Sequence, residues 1–295
     1  MLLRTPEGDP PPRDVSRRTA LASMFTAGYA LGAGPANAQA IATDETGLII
    51  EEPTFRGAGG YQLPAYVARP AAEGRHPAVV VVNEIFGIHA YIKDVCRRLA
   101  KAGYVALAPD YFDRAGDPST MTDIQNQIRP VVAAATYPQV MADTDGAVRH
   151  LRRQRHVNRR ALAITGFCWG GAVTWMAAAH SRAFRAGAAW YGRLVPPDPG
   201  GFGAEEGRPW PVDVAGALKC PVLGLYGSED RGIPLETVER MRAALAAAGN
   251  PSRSEIVVYD GAQHGFHADY RASYKRDAAE DAWARMLAWF RANGV

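Results

Sequence analysis

Ala161-Leu162-Ala163-Ile164-Thr165-Gly166-Phe167-Cys168-Trp169-Gly170-Gly171-Ala172-Val173-Thr174-Trp175-Met176-Ala177-Ala178-Ala179 changes character at its middle. Residues 161–165 are a short apolar run suited to a strand, and residues 172–179 are an apolar run suited to a buried helix. Gly166 and Gly170 flank Cys168 at two positions on either side. A strand that turns at once into a helix strains the residue at the apex, and small neighbours let the backbone close. That is the G-x-S-x-G arrangement with sulfur in place of oxygen. The apex side chain is pushed above the sheet, and the next amide, that of Trp169, faces outward near a helix N-terminus. A glycine-rich turn of this kind is also a plain packing device, so Cys168 alone reads either as a nucleophile or as an inert buried thiol.

Working outward, short apolar runs at 78–83, 104–109, 161–165, 186–191, 221–226 and 255–259 alternate with stretches of helical spacing at 91–102, 139–153, 172–182, 234–248 and 278–293. Uninterrupted apolar strands are covered on both faces, so the pattern predicts an α/β fold with a mostly parallel, doubly wound sheet and helices on both faces. Two earlier runs, 47–52 and 64–69, enclose Gly57, Gly59 and Gly60 and predict an antiparallel hairpin at one edge. No break in composition divides residues 41–295, which read as one domain. The stretch 192–216 is rich in proline and glycine and lacks periodicity, which makes it either an entrance flap or a surface excursion.

The chain is 47% apolar over 295 residues, enough for a sizeable core, and its formal charge of +3 is scattered over arginines rather than gathered into a stripe. Nucleic acid is therefore not expected as a partner, and a small-molecule substrate is. Ser16-Arg17-Arg18-Thr19-Ala20-Leu21 places twin arginines before a mildly apolar stretch, and Ala36-Asn37-Ala38-Gln39-Ala40 has small residues at cleavage-site spacing. Residues 1–40 thus look like a twin-arginine export signal, which predicts a periplasmic protein with no membrane attachment once the signal is removed. No later segment reaches about 18 uninterrupted apolar residues. Three cysteines, Cys96, Cys168 and Cys220, form neither a C-x-x-C pair nor a Cys/His cluster, so no metal site and no disulfide framework is expected.

A thiol attacks an acyl carbon as its thiolate and needs a base. His264, in Gly261-Ala262-Gln263-His264-Gly265-Phe266, follows the strand 255–259, and Asp230 follows the strand 221–226. The order Cys168, Asp230, His264 is the nucleophile, acid, histidine order of α/β hydrolases. Glu84 ends the first long strand, a costly position for a carboxylate without a partner. The amide of Ile85 stands where such enzymes supply a second oxyanion donor, beside that of Trp169.

Four motifs, Asn83-Glu84-Ile85-Phe86-Gly87, Gly103-Tyr104-Val105-Ala106-Leu107-Ala108-Pro109-Asp110, Gly166-Phe167-Cys168-Trp169-Gly170-Gly171 and Gly261-Ala262-Gln263-His264-Gly265-Phe266, resemble the dienelactone hydrolase (carboxymethylenebutenolidase) family from about Gly47 onward. The resemblance implies the α/β-hydrolase fold, a Cys168-Asp230-His264 triad without cofactor, and ring opening of an unsaturated lactone through an acyl-enzyme. It implies that Glu84 holds the resting thiol and takes its proton when substrate arrives. It also implies an arginine clamp on a substrate carboxylate, for which Arg114 matches the first position. The second position is Ala268, with Arg271 three residues further on. Apart from the resemblance, His267 lies near the proposed site and reads either as a substrate-facing side chain or as a structural hydrogen-bond partner. A general carboxylesterase or thioesterase, or a non-catalytic binding protein on the same scaffold, remain alternatives. A monomer or small homo-oligomer is expected.

Overall fold

The alternation of strand and helix becomes one nine-stranded sheet. The computed structural model describes residues 40–197, 208–250 and 252–295. The export signal expected over 1–40 lies outside the described residues except for its last position, as does the middle of the stretch 192–216.

The strands are β1 (Leu48–Glu51), β2 (Thr54–Arg56), β3 (Gln62–Pro70), β4 (His76–Val82), β5 (Val105–Pro109), β6 (Val157–Phe167), β7 (Ala186–Trp190), β8 (Val222–Gly227) and β9 (Glu255–Tyr259). The helices are α1 (Ala90–Lys101), α2 (Arg129–Ala134), α3 (Tyr137–Arg153), α4 (Trp169–His180), α5 (Leu235–Ala247) and α6 (Arg276–Ala292). Across the sheet the order is β1-β3-β5-β4-β6-β7-β8-β9, with β2 also on β3. From β5 to β9 every neighbouring pair is parallel. Every residue of β5, β7 and β8 is buried. Successive side chains point to opposite faces, so burial without interruption means that both faces are covered. The predicted α/β-hydrolase architecture, a mostly parallel doubly wound sheet, is the one observed.

The helices differ in how they meet the sheet. Helix α1 buries Tyr91, Ile92, Val95, Cys96 and Leu99, a one-sided stripe that packs on β3 and β5. Helix α4 is buried at every residue from Gly170 to Ala178, because β6, β7 and α3 surround it. That is why its sequence is apolar on all sides.

The antiparallel edge is more extensive than a hairpin of 47–52 with 64–69. Leu48 pairs with Pro70 and Glu51 with Val67, and the same register continues from Thr54 opposite Pro64 to Arg56 opposite Gln62. β1 and β2 are thus one strand line interrupted at Pro53, which has no amide to donate. Its carbonyl still accepts from Ala65 N at 2.9 Å. The other edge of β3 pairs antiparallel with β5. β6 begins four residues before the predicted run, at Val157, and its exposed Asn158, Arg159 and Arg160 hide it from an apolar pattern.

At the join of β6 and α4, Cys168 has φ 56° and ψ −115°. Its amide donates to Trp190 O at 3.0 Å, tying the apex to the end of β7. A Cβ on Gly166 would lie 2.2 Å from Gly170 O, and one on Gly170 would lie 2.4 Å from Val82 O. Backbone meets backbone at both places, so nothing can rotate aside. Gly166→Ala is therefore expected to destabilise the fold by on the order of 3 kcal/mol, read as a lower urea midpoint at unchanged slope. A midpoint equal to the parent's would show that the turn tolerates opening.

Candidate active site

Because the central strands are parallel, the residues that follow β4, β6, β8 and β9 emerge on one side of the molecule, the carboxyl edge at which open α/β sheets hold ligands. Cys168 follows β6 directly, Glu84 follows β4, Asp230 follows β8 and His264 follows β9. The structure brings Cys168, Asp230 and His264 together there. Asp230 is buried, and its Oδ1 accepts from the amides of Gly232 at 2.9 Å and Ile233 at 3.1 Å. Its Oδ2 is left to His264 Nδ1, 2.7 Å away. The carboxylate is thus oriented by backbone before the imidazole meets it.

His264 rides a loop that is itself braced. Lys275 N donates to Phe266 O at 3.0 Å and Ala268 N to Gly265 O at 2.8 Å, and Arg98 of α1 pairs with Asp269. The sulfur of Cys168 lies near enough to act on the charge of the imidazole. Burial favours the neutral ring, but the sulfur of Cys168 and the Asp230 carboxylate outweigh it and hold His264 up to about 10. The Tyr191 ring lies edge-on to it, with centroids 5.2 Å apart.

A cavity of about 230 Å³ opens over these groups. Ile85, Trp169, Ala172, Tyr191, Trp210 and Ile233 form its apolar wall, Cys168 and His264 its reactive floor, and Arg193 and Arg208 bring charge to it. Trp169 is the first residue of α4, where amides have no partner inside the helix. The amides of Gly171 and Ala172 turn back to Cys168 O, at 3.0 and 3.4 Å.

Glu84 is fully buried, and both of its oxygens are engaged. Arg271 Nη2 donates to Oε1 at 3.1 Å, the Tyr270 hydroxyl donates to Oε2 at 2.7 Å, and His89 Nε2 stands 3.3 Å from Oε2. Burial would raise its pKa, yet the Arg271 charge with His89 and Tyr270 brings it down to about 2. In this arrangement both oxygens of Glu84 are taken by Tyr270 and Arg271, and Glu84 anchors the loop that carries His264.

The three side chains considered for substrate binding are placed away from the cavity wall. Arg114 forks onto Asp143, with Nη1 to Oδ2 at 2.7 Å and Nη2 to Oδ1 at 2.9 Å, and covers the Tyr61 ring. Arg271 is committed to Glu84. His267 is buried, shares a 2.6 Å hydrogen bond with the Tyr91 hydroxyl, and packs on Trp190 at 4.5 Å between centroids. Burial, then the nearby charge of Arg98, pushes its pKa down to about 3, so it is a neutral core histidine. Cys96 and Cys220 are free thiols sealed in the core. Among the described residues no group of three or more His, Cys, Asp or Glu could hold a metal ion, and no helix is long and apolar enough to cross a membrane.

Tyr270, Trp210, Ile233, Arg193 and Arg208 were not singled out by sequence reasoning. Position after a strand was a usable signal for Arg193, which stands three residues beyond β7. Nothing in the sequence marks Tyr270 as the hydroxyl that reaches back to Glu84.

A parallel sheet covered on both faces, with a strained elbow at its centre and an imidazole–carboxylate pair on the adjoining loops, defines an α/β hydrolase. Comparison with known proteins is more specific. The dienelactone hydrolase family matches residues 63–294, and the chain belongs to that family. A protein of Methylorubrum extorquens named "Putative carboxymethylenebutenolidase" is 50% identical over 282 residues, covering 95% of this chain and 94% of its own length. One of the same name from Salmonella typhimurium is 45% identical, covering 93% of this chain and 98% of its own. The crystal structure of a "Putative Dienelactone Hydrolase" from Klebsiella pneumoniae superposes with a TM-score of 0.77 at 46% identity, covering 83% of this chain and 98% of that one. The chain is accordingly a carboxylic ester hydrolase of the dienelactone hydrolase type.

His264 gains stability from folding as an imidazolium. Its folded value lies above the ordinary 6.5, so this contribution is complete below about pH 6.5 and is lost as pH rises through about 10. Cys168→Ala and Asp230→Asn are each expected to lower the titration point of the His264 ring, followed by NMR. An unmoved titration in both variants would mean that the ring does not sense these neighbours.

Proposed function

We propose that the enzyme opens lactones or cleaves activated carboxylic esters through an acyl-enzyme on Cys168, with His264 as acid and base and Asp230 as the group that orients and stabilises the imidazolium. The observation that carries this reading is the 2.7 Å contact of His264 Nδ1 with Asp230 Oδ2 beside a sulfur presented on an elbow. The name borne by the Methylorubrum and Salmonella relatives, which denotes action on a butenolide, supports a lactone as substrate.

With the thiol proton on His264, the sulfur attacks the carbonyl carbon and the carbonyl oxygen takes the negative charge. The amides of Ile85 and Trp169 receive that oxyanion. As the tetrahedral adduct collapses, the C–O bond to the leaving alkoxide breaks and His264 returns the proton to it. In a lactone the released hydroxyl stays attached to the acyl chain. Water, giving a proton to His264, then attacks the thioester, and the carboxylic acid leaves as sulfur recovers its proton. Asp230 stays ionised throughout and holds the ring in place.

Cys168→Ala is expected to lower kcat on an aryl acetate by at least about 10³-fold with the fold retained, and Cys168→Ser to leave weak activity. Parent-like turnover in Cys168→Ala would remove sulfur from the mechanism.

The enzyme is further proposed to act in the periplasm, a reading supported by Arg17-Arg18 and the small residues at 36–40. Fractionation is expected to show a shortened chain in the periplasm, and a full-length cytoplasmic chain alone would overturn it.

A further inference from the structure

A second cavity, of about 490 Å³, lies at the other end of the fold from Cys168. Helix α3 ends at Arg153 and β6 begins at Val157, so the last turns of α3 stand at the amino edge of the parallel strands, whereas Cys168 follows β6 at their carboxyl edge. The two cavities have no residue in common. This one forms where α3 packs on β2 and on the turn at 58–60. The approach is close: a Cβ on Gly146 would lie 2.6 Å from Arg56 O, and the ring of the buried Phe55 stands 5.5 Å from that of His150 between centroids.

Three guanidiniums meet there. Arg149 and Arg153 are one helical turn apart, so they rise from the same face of α3, and both line the cavity. Arg56 lines it from β2, where burial alternates with Phe55 inside and Thr54 and Arg56 outside. No Asp or Glu lines it. The carboxylates of α3 and of the neighbouring β1 strand that come nearest are engaged elsewhere: Asp143 with Arg114, Asp145 with His180 and Glu51 with Arg69. Among the described residues none of the three guanidiniums has a hydrogen-bond acceptor or an ion-pair partner. The carboxyl end of a helix favours a cation in its last turn, which accounts for Arg153 but not for Arg56 on another element. A concave wall of one sign concentrates its field on the space it encloses. Arginines that look scattered along the chain are thus gathered by the fold.

We propose that this cavity is a binding site for a phosphate-bearing anion of at least two charges, held by forks from Arg56, Arg149 and Arg153 and separate from the hydrolase centre. The chemistry of the donors selects the class. One guanidinium fork satisfies the two coplanar oxygens of a carboxylate, whereas a phosphate group presents oxygens in several directions and accepts from several guanidiniums at once. The Thr54 hydroxyl and the Gln62 amide, which also line the cavity, make no hydrogen bond within the described residues and add neutral donors. The volume exceeds what a single phosphate fills, which leaves room for a second phosphate or for the group that carries it. The site does not depend on which ester or lactone is cleaved at Cys168.

Titration calorimetry with pyrophosphate tests the site, and sedimentation with phosphatidylcholine vesicles containing phosphatidate tests whether the phosphate belongs to a lipid headgroup. Arg56→Met and Arg149→Met are each expected to weaken pyrophosphate binding by about 10-fold, the loss of one charge-assisted fork, and the triple variant that adds Arg153→Met to abolish it. Arg159→Met/Arg160→Met removes two exposed arginines at the start of β6 that do not line the cavity, and is expected to change binding by less than about twofold. Turnover of an aryl acetate is expected to be unchanged in every variant, which shows that the fold is kept. Sedimentation with the vesicles that is lost in the triple variant, without binding of pyrophosphate, assigns the phosphate to a lipid and upholds the site. Binding of neither probe, binding that survives the triple substitution, or an equal loss in the Arg159→Met/Arg160→Met control overturns it. Citrate bound more tightly than both probes overturns phosphate as the class.

Discussion

Everything at the carboxyl edge of the sheet is referred to the closure between β6 and α4. Cys168 holds a backbone conformation unfavourable for a residue with a side chain, and it persists because its surroundings leave no other. Gly166 and Gly170 are in contact through backbone atoms, Gly170 rests on the end of β4, and the Cys168 amide is fastened to the end of β7. Three central strands therefore converge on one residue. The strain is offset by a core that includes Phe167, Trp175 and Trp190, all fully buried on either side of the elbow.

A second constraint acts from below. Glu84 has no access to water, and an ionised carboxylate in that position must be met by charge and hydrogen bonds. Arg271 and Tyr270 meet it, and both belong to the loop that carries His264. The buried ion pair thus acts as a latch on that loop, and Arg98 with Asp269 is a second one. His264 is placed by electrostatics at one end of its loop and by Asp230 at the other.

Much of this was legible in the sequence. Continuous apolar runs marked the buried strands, and the glycines around Cys168 marked the elbow, because both features follow from local steric demands. Cys168, Asp230 and His264 could be aligned because each follows a strand, and parallel strands share an edge. The partners of Arg114, Arg271 and His267 could not be read, since they lie far away in the chain: Asp143 on α3, Glu84 after β4, Tyr91 on α1. Pro53 hid the continuity of the edge strand, and the polar start of β6 hid its length. Segment 118–134, with its short turns and α2, has no apolar period to betray it.

The fate of the three sulfurs has a consequence for chemical durability. Cys96 and Cys220 are enclosed, and burial pushes both thiols up, that of Cys220 to about 12. Neither faces the cavity where Cys168 is open to solvent. An oxidant that converts Cys168 to a sulfenic acid therefore finds no neighbouring thiol in the fold to capture it as a disulfide. Rescue must come from a small external reductant before further, irreversible oxidation. The same isolation that keeps the sulfur available to an ester leaves it without an internal safeguard against peroxide.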